Sequence, residues 1–227
     1  MKLSVIVPVH NEVNTIGQII KRVQDGGLVT EIVVVDDAST DGTSEILAKL
    51  NGRKGIKVLS HKKNQGKGAA IRTGLTAISG ELVLIQDADL EYDPQDYPRL
   101  LKPIEEGRAD VVYGSRFLGG PRRPILFWNM VANRLLTLLT NILYNNILTD
   151  METGYKLFRK EVILSIPFHS NRFNFEPEIT AKLLKRKVRI VEVAISFYPR
   201  DYSEGKKIGL RDAFQALWAI IRYRFAD

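Results

Sequence analysis

The sequence predicts an α/β protein built on an open, mostly parallel sheet with helices on both faces. Three observations lead there. Short β-branched runs alternate with amphipathic stretches through the first half, the rhythm of successive βαβ units. The runs LSVIVPV, EIVVVDD and ELVLIQDAD are nearly continuous in apolar residues, as parallel strands covered on both faces require. Polar clusters then follow the strands: HNE after the first, DDAST after the second and QDADLE after the fourth. That is the sheet edge at which such folds bind ligands.

In chain order, LSVIVPV leads to a helix over about residues 15–24, closed by GG. EIVVVDD leads to a helix over 41–50, closed by NGRKG, with one residue of 36–40 expected as its cap. IKVLSH leads to a helix over 67–78, closed by SG, and ELVLIQDAD and ADVVYGS complete the strands read here. The glycine-rich fingerprint of dinucleotide binding is missing after the first strand, where VPVHNE stands. NQGKGAA has neither the glycine spacing nor the Ser/Thr of a phosphate loop, so Lys67 contributes a charge at a helix start.

In the second half, residues 125–148 hold a single charge, Arg134, within an apolar run that includes Trp128, Leu135, Leu138 and Ile142. Asn129, Asn133, Thr137, Asn141 and Asn145 recur every four residues, a polar stripe ill suited to a membrane span. A helix in the membrane interface or the wall of a lipid groove is expected, with an ordinary buried helix as the alternative. Glu178 is expected to start a helix running to Lys187. Leu210, Ala213, Phe214, Leu217, Ile221 and Phe225 recur at helical spacing beside Arg211, Arg222 and Arg224, a second interfacial or partner-binding helix.

With 227 residues, 44% hydrophobic and 26% charged, the chain suits one large domain with an extension, without internal repeats. The absence of cysteine excludes a disulfide scaffold and thiolate chemistry and fits a reducing compartment. MKLSVIVPVH enters a strand pattern at once, with too short an apolar run for a signal peptide, so a cytoplasmic location is expected. A net charge of +7 favours an anionic partner. Arg122, Arg123, Lys206, Lys207, Arg211, Arg222 and Arg224 lie beside the apolar stretches without interleaved aromatics, which suits a membrane surface and not nucleic acid.

The stretch LVLIQDADLEYDP sets Asp87, Asp89, Glu91 and Asp93 where a core strand ends. Their repulsion and lost hydration require a cation. Hard carboxylate oxygens of Asp87 and Asp89 at a strand end suit Mg²⁺ or Mn²⁺. The alternative is a solvated loop in which Asp93 precedes Pro94 as a turn.

VIVPVHNE, VVVDDASTDGT, NQGKGAAIRTG, IQDADLEYDP, YGSRF, TDMETGYKLF, FEPEIT and YPRDYSEGKKIG, taken in order, resemble the family 2 glycosyltransferases. They are most similar to the polyprenyl-phosphate glycosyltransferase branch that includes dolichol-phosphate mannosyltransferase. The resemblance spans nearly the whole chain and implies a Rossmann-like GT-A fold, a GDP- or UDP-linked sugar donor, a divalent metal and inversion at the anomeric carbon. By position, Pro8, Asn11, Glu12 and Asp37 would line the nucleoside pocket, Lys67 would lend its charge, and Asp87, Ala88 and Asp89 would form the DxD motif. Asp89 and Glu91 would hold the metal; Arg116 and Arg134 match contacts to the acceptor phosphate, Asp150 and Glu178 match acids on the acceptor side, and Arg200 with Lys206 and Lys207 matches a mobile loop covering donor and acceptor, in which Arg200 and Lys206 would bind the acceptor. Asp87, Asp89, Arg116 and Arg200 are the catalytic set so implied. His10 stands where Tyr is usual, and Glu91 where some relatives carry Gln.

The implied division is a GT-A domain over 1–209, with a donor half to about 118 and an acceptor half from 119, then a C-terminal amphipathic helix over 210–227. The implied partners are the nucleotide sugar, a dolichyl or undecaprenyl phosphate, the cytoplasmic membrane surface and a membrane protein. Transfer to a saccharide hydroxyl is the competing enzyme reading, with Asp150 or Glu152 as the base. A silent nucleotide-sugar-binding protein is the competing reading from outside enzymes.

Overall fold

The computed structural model describes residues 1–124, 126–200 and 210–226, residues 210–212 by backbone alone. Seven strands form one sheet: β1 (Leu3–Val9), β2 (Glu31–Asp36), β3 (Ile56–Ser60), β4 (Leu82–Ile85), β5 (Val111–Ser115), β6 (Lys156–Arg159) and β7 (Ile190–Ala194). Their order is β3-β2-β1-β4-β6-β5-β7. β1, β2, β3 and β4 are mutually parallel, as are β5 and β7. β6 runs antiparallel between β4 and β5. The mostly parallel α/β sheet is therefore as expected, while β6 and β7 were not legible as strands. Because β6 lies inside the sheet, residues beyond 119 complete the same sheet that the first half begins.

The helices are α1 (Ile16–Asp25), α2 (Thr43–Leu50), α3 (Lys67–Leu75), α4 (Tyr97–Glu105), α5 (Phe127–Tyr144), α6 (Lys160–Ser165), α7 (Phe175–Lys185) and α8 (Leu210–Phe225). α1 buries Ile16, Ile19, Ile20 and Val23, the i, i+3, i+4, i+7 face of an amphipathic helix. Alternate residues of β1 enter opposite cores: Val5 and Val7 pack with Ile19, Leu84 and Leu100, whereas Ile6 packs with Val33, Ile71, Ile85 and Phe158. The register pairs Val9 with Asp36 and Asp36 with Ser60, so the carboxyl ends of the central strands finish level.

One expectation is corrected. α7 begins at Phe175, not at Glu178, and ends at Lys185. In α5 the polar stripe faces inward: Thr137 and Thr140 are buried, and Asn141 exchanges hydrogen bonds with the backbone of Leu148. The apolar side faces outward, with Trp128 76% exposed and Leu135, Leu138 and Ile142 beside it. α8 packs on α5 and α7 and exposes Phe214, Trp218 and Phe225. Among the described residues no helix is long and apolar enough to cross a membrane.

Candidate active site

The acidic stretch after β4 is held from beneath by a buried amide. Gln86 accepts the hydroxyls of Tyr97 at 2.8 Å and Tyr155 at 2.6 Å, and donates to the Asp87 carbonyl at 2.9 Å. Tyr92 stacks on Tyr155 with ring centroids 4.6 Å apart, and its hydroxyl accepts the Gly154 N–H. Gly154 must lack a side chain, because a Cβ there would collide with the Asp87 carboxylate.

The four acids then part company. Asp87 pairs with Lys67 at 2.7 Å, and the same ammonium pairs with Glu176 at 2.8 Å. Asp89 and Glu12 share Arg200, at 3.2 and 3.0 Å, and the Arg200 N–H donates to Glu91 at 2.8 Å. Asp93 takes the turn role, accepting the Gln95 N–H at 3.0 Å. The chain thus provides cations of its own at this cluster. Burial, with Asp87 and Glu91 nearby, lifts the Asp89 carboxyl to about 7 against the opposing pull of Arg200. Burial alone would depress Lys67, but Asp87 and Glu176 more than offset it and raise its pKa above the usual lysine range.

Beside these acids lies a cleft of about 720 Å³, lined by Asn11, Glu12, Asp41, Asp89, Arg123 and Arg200 among others. Asn11 adopts a left-handed backbone, φ 55°, and its side chain accepts the Thr40 N–H at 2.8 Å, which ties the ends of β1 and β2 together. Pro8 and Ala88 are buried and do not line the cleft. Asp37 is also buried, and its oxygens are occupied by His61 at 2.6 Å and the N–H groups of Gln65 and Gly66 at 2.8 and 2.6 Å. It builds the wall and does not face the cleft with a free oxygen.

On the other side, Asp150 is fully buried and grips Arg116 through two 2.7 Å bonds from the guanidinium and one from its backbone N–H. With both oxygens engaged, Asp150 is not poised as a base. Burial by itself lowers the Arg116 pKa, but Asp150 and Tyr92 outweigh it. Three guanidinium groups surround the Phe117 ring: Arg116 and Arg122 at 5.8 Å and Arg134 at 5.5 Å from its centroid. Arg116 also lies 5.2 Å from the Phe197 ring, which packs on Tyr92, so this group adjoins the acids.

Glu178 is not brought to the cleft. It is fully buried, paired with Lys182 at 2.8 Å, and accepts the N–H groups of His169 and Ser170, holding that turn against α7. Lys206 and Lys207 lie outside the described residues. Two buried groups went unread in the sequence. Glu176, two residues before Glu178, is the acid that meets Lys67. Lys156 donates to the carbonyls of Met151 and Thr153 and sits 4.4 Å over the Tyr113 ring. Burial pushes Lys156 down to about 8, and burial with Glu176 nearby pushes Glu152 up to about 8. One oxygen each of Glu152 and Glu176 is shut from solvent without a hydrogen-bond partner among the described residues. The clustering of acids in TDMET and FEPEI was the only available signal, and it does not rank them.

The family described as Glycosyl transferase family 2 matches residues 4–166. The chain is 32% identical to dolichol-phosphate mannosyltransferase of Pyrococcus furiosus, over 98% of this chain and 63% of that protein, so it spans just under two thirds of that relative's length. It is 27% identical to dodecaprenyl-phosphate galacturonate synthase of Rhizobium johnstonii, over 99% of this chain and 67% of the relative. The fold superposes on glucosyl-3-phosphoglycerate synthase from Mycobacterium tuberculosis, solved with Mn²⁺, uridine diphosphate and phosphoglyceric acid. The TM-score is 0.77 at 23% identity, covering 100% of this chain and 79% of that one. The expected GT-A architecture is met by this likeness.

Proposed function

This chain belongs to glycosyl transferase family 2, and on that premise we propose that it is a metal-dependent, inverting glycosyltransferase moving one sugar from a GDP- or UDP-linked donor to a polyprenyl phosphate. The observation that carries the acceptor half is the set of three guanidinium groups round Phe117. A sugar hydroxyl needs a base to become a nucleophile. A lipid phosphate, with a second pKa near about 6, is mostly dianionic at neutral pH and needs cations instead. Asp150 fixes the Arg116 fork, while Arg122 and Arg134 have no carboxylate partner among the described residues and keep their charge for a ligand. Two relatives that carry a polyprenyl phosphate in their names support this acceptor.

In this proposal residues 1–118 chiefly serve the donor and 119–209 the acceptor, with Arg116 and Phe117 crossing to the acceptor side and Arg200 to the donor side. Asn11, Glu12, Asp87 and Asp89 receive the nucleotide sugar, backed by the buried Pro8, Asp37 and Ala88. Asp89, which lines the cleft, and Glu91 two residues on are hard oxygen donors whose chemistry fits Mg²⁺ or Mn²⁺. A bound ion would supply charge stabilisation for the departing nucleoside diphosphate. Lys67 holds Asp87 in place, and Arg200 faces the diphosphate. The outward apolar sides of α5 and α8, with exposed Arg222 and Arg224, suit peripheral attachment to the cytoplasmic membrane face, alone or beside a membrane protein.

One observation favours transfer to a hydroxyl as the second reading: Glu152, with an unpartnered oxygen and a pKa lifted to about 8, has the character of a base. Arg134→Ala separates the two. With a short polyprenyl phosphate it is expected to lower kcat/KM about 30-fold or more, the loss of one desolvated charge contact, while donor affinity holds. Full activity of Arg134→Ala would overturn the lipid-phosphate reading.

A further inference from the structure

The two arginines that grip acids beside the cleft are held differently. Arg116 is locked to one carboxylate by paired 2.7 Å bonds. Arg200 is spread over three: Glu12 at 3.0 and 3.2 Å, Asp89 at 3.2 Å, and Glu91 4.0 Å from its Nε. That Nε is shut from solvent and makes no hydrogen bond among the described residues. A guanidinium with longer contacts and an idle donor occupies one oxygen of Asp89, the acid assigned to the divalent ion.

From this geometry we infer that Arg200 is the resident counter-ion of the metal site, and that a divalent cation binds Asp89 by exchanging with it. The inference rests on the metal assignment made above. Charge balance sets the direction. Glu12, Asp89 and Glu91 set three acidic side chains against the single positive charge of Arg200. An ion at Asp89 brings two positive charges and repels the guanidinium from its position a few ångströms away. Arg200 is then free to turn to an anion brought by the ion, which is the donor diphosphate. The exchange couples the two ligands: the ion must displace Arg200 to bind alone, and the diphosphate, by accepting the released guanidinium, tightens the ion. Arg200 acts in the metal-free protein as a competitor that keeps the acids paired until both ligands arrive.

The test is Mn²⁺ binding without nucleotide, read from the paramagnetic resonance signal of free Mn²⁺, in the unmodified chain, Arg200→Gln, Arg200→Lys and Arg123→Gln. Arg200→Gln is expected to bind Mn²⁺ about tenfold more tightly, a typical coupling between competing ligands. Arg200→Lys, which keeps a competing cation, should stay near the unmodified value. Arg123→Gln removes an equal charge from the cleft wall, without those contacts, and should change affinity less than about twofold. Melting curves check folding and give a second readout, since Mn²⁺ should raise the Tm of Arg200→Gln more than that of the unmodified chain. Equal Mn²⁺ affinity in the unmodified chain and Arg200→Gln overturns the exchange and leaves the metal assignment standing. No Mn²⁺ binding by any of the four proteins, with or without nucleoside diphosphate, overturns both.

Discussion

At the residue scale, the buried ion pairs decide what each charged group is available to do. Asp150 is committed to Arg116, so Asp150→Ala should unfold at lower denaturant, by about 3 to 5 kcal/mol, because it leaves a buried arginine uncompensated. Urea titration at unchanged m value checks this, and a loss under about 1 kcal/mol would mean that the pair is solvated. The acids of the DAD stretch were legible because a run of carboxylates after an apolar strand has no ordinary packing explanation. Glu176 and Glu178 were not separable, since both sit in the first turn of α7 and only the fold shows that one meets Lys67 and the other Lys182. Lys156 was hidden for a different reason: nothing in its neighbours betrays that its amine is capped by carbonyls 3 and 5 residues earlier.

At the element scale, NQGKGAA proves to be a packing device. A Cβ at Gly68 would strike the Ser170 carbonyl, and Gly66 combines φ +98° with the same close approach to Asn171. These glycines let α3 seat against the 170–171 turn, which sets Lys67 between Asp87 and Glu176. Gly68→Ala should cost about 1 to 3 kcal/mol from overpacking. Gly17→Ala, in α1 with open space where its Cβ would stand, should gain about 0.5 to 1 kcal/mol. Chemical denaturation of both variants checks the opposite signs. Helices α1 to α3 were readable from their apolar period, but α4, which carries Pro103 within it, and β6 were not, the latter because KLFR is four residues long and its pairing is antiparallel to β4. α5 was readable as a helix, and its outward apolar side required the fold. Trp128 and Trp218, 76% and 65% exposed, should shift their fluorescence to the blue on anionic vesicles and revert partly with added salt. Unchanged fluorescence together with no co-sedimentation would remove the membrane from the account.

At the scale of the whole molecule, one sheet places an acidic cleft at the ends of β1, β2 and β4 and a cationic cluster just after β5, joined through Tyr92, Phe197 and the Arg116–Asp150 pair. That division of charge is the central claim: the acidic side manages a metal and a diphosphate, and the basic side receives a second anion. The overall α/β order was visible in the sequence because it follows from local periodicity. The joining of the two sides was not, since it depends on β6 entering between β4 and β5. The most direct measurement offers the protein one nucleotide sugar, labelled in the sugar, with Mn²⁺ and two acceptors of equal chain length, a polyprenyl phosphate and the free polyprenol. The account predicts label in the lipid fraction with the phosphate and none with the alcohol; label on the alcohol, or on a saccharide hydroxyl, with none on the phosphate would contradict it.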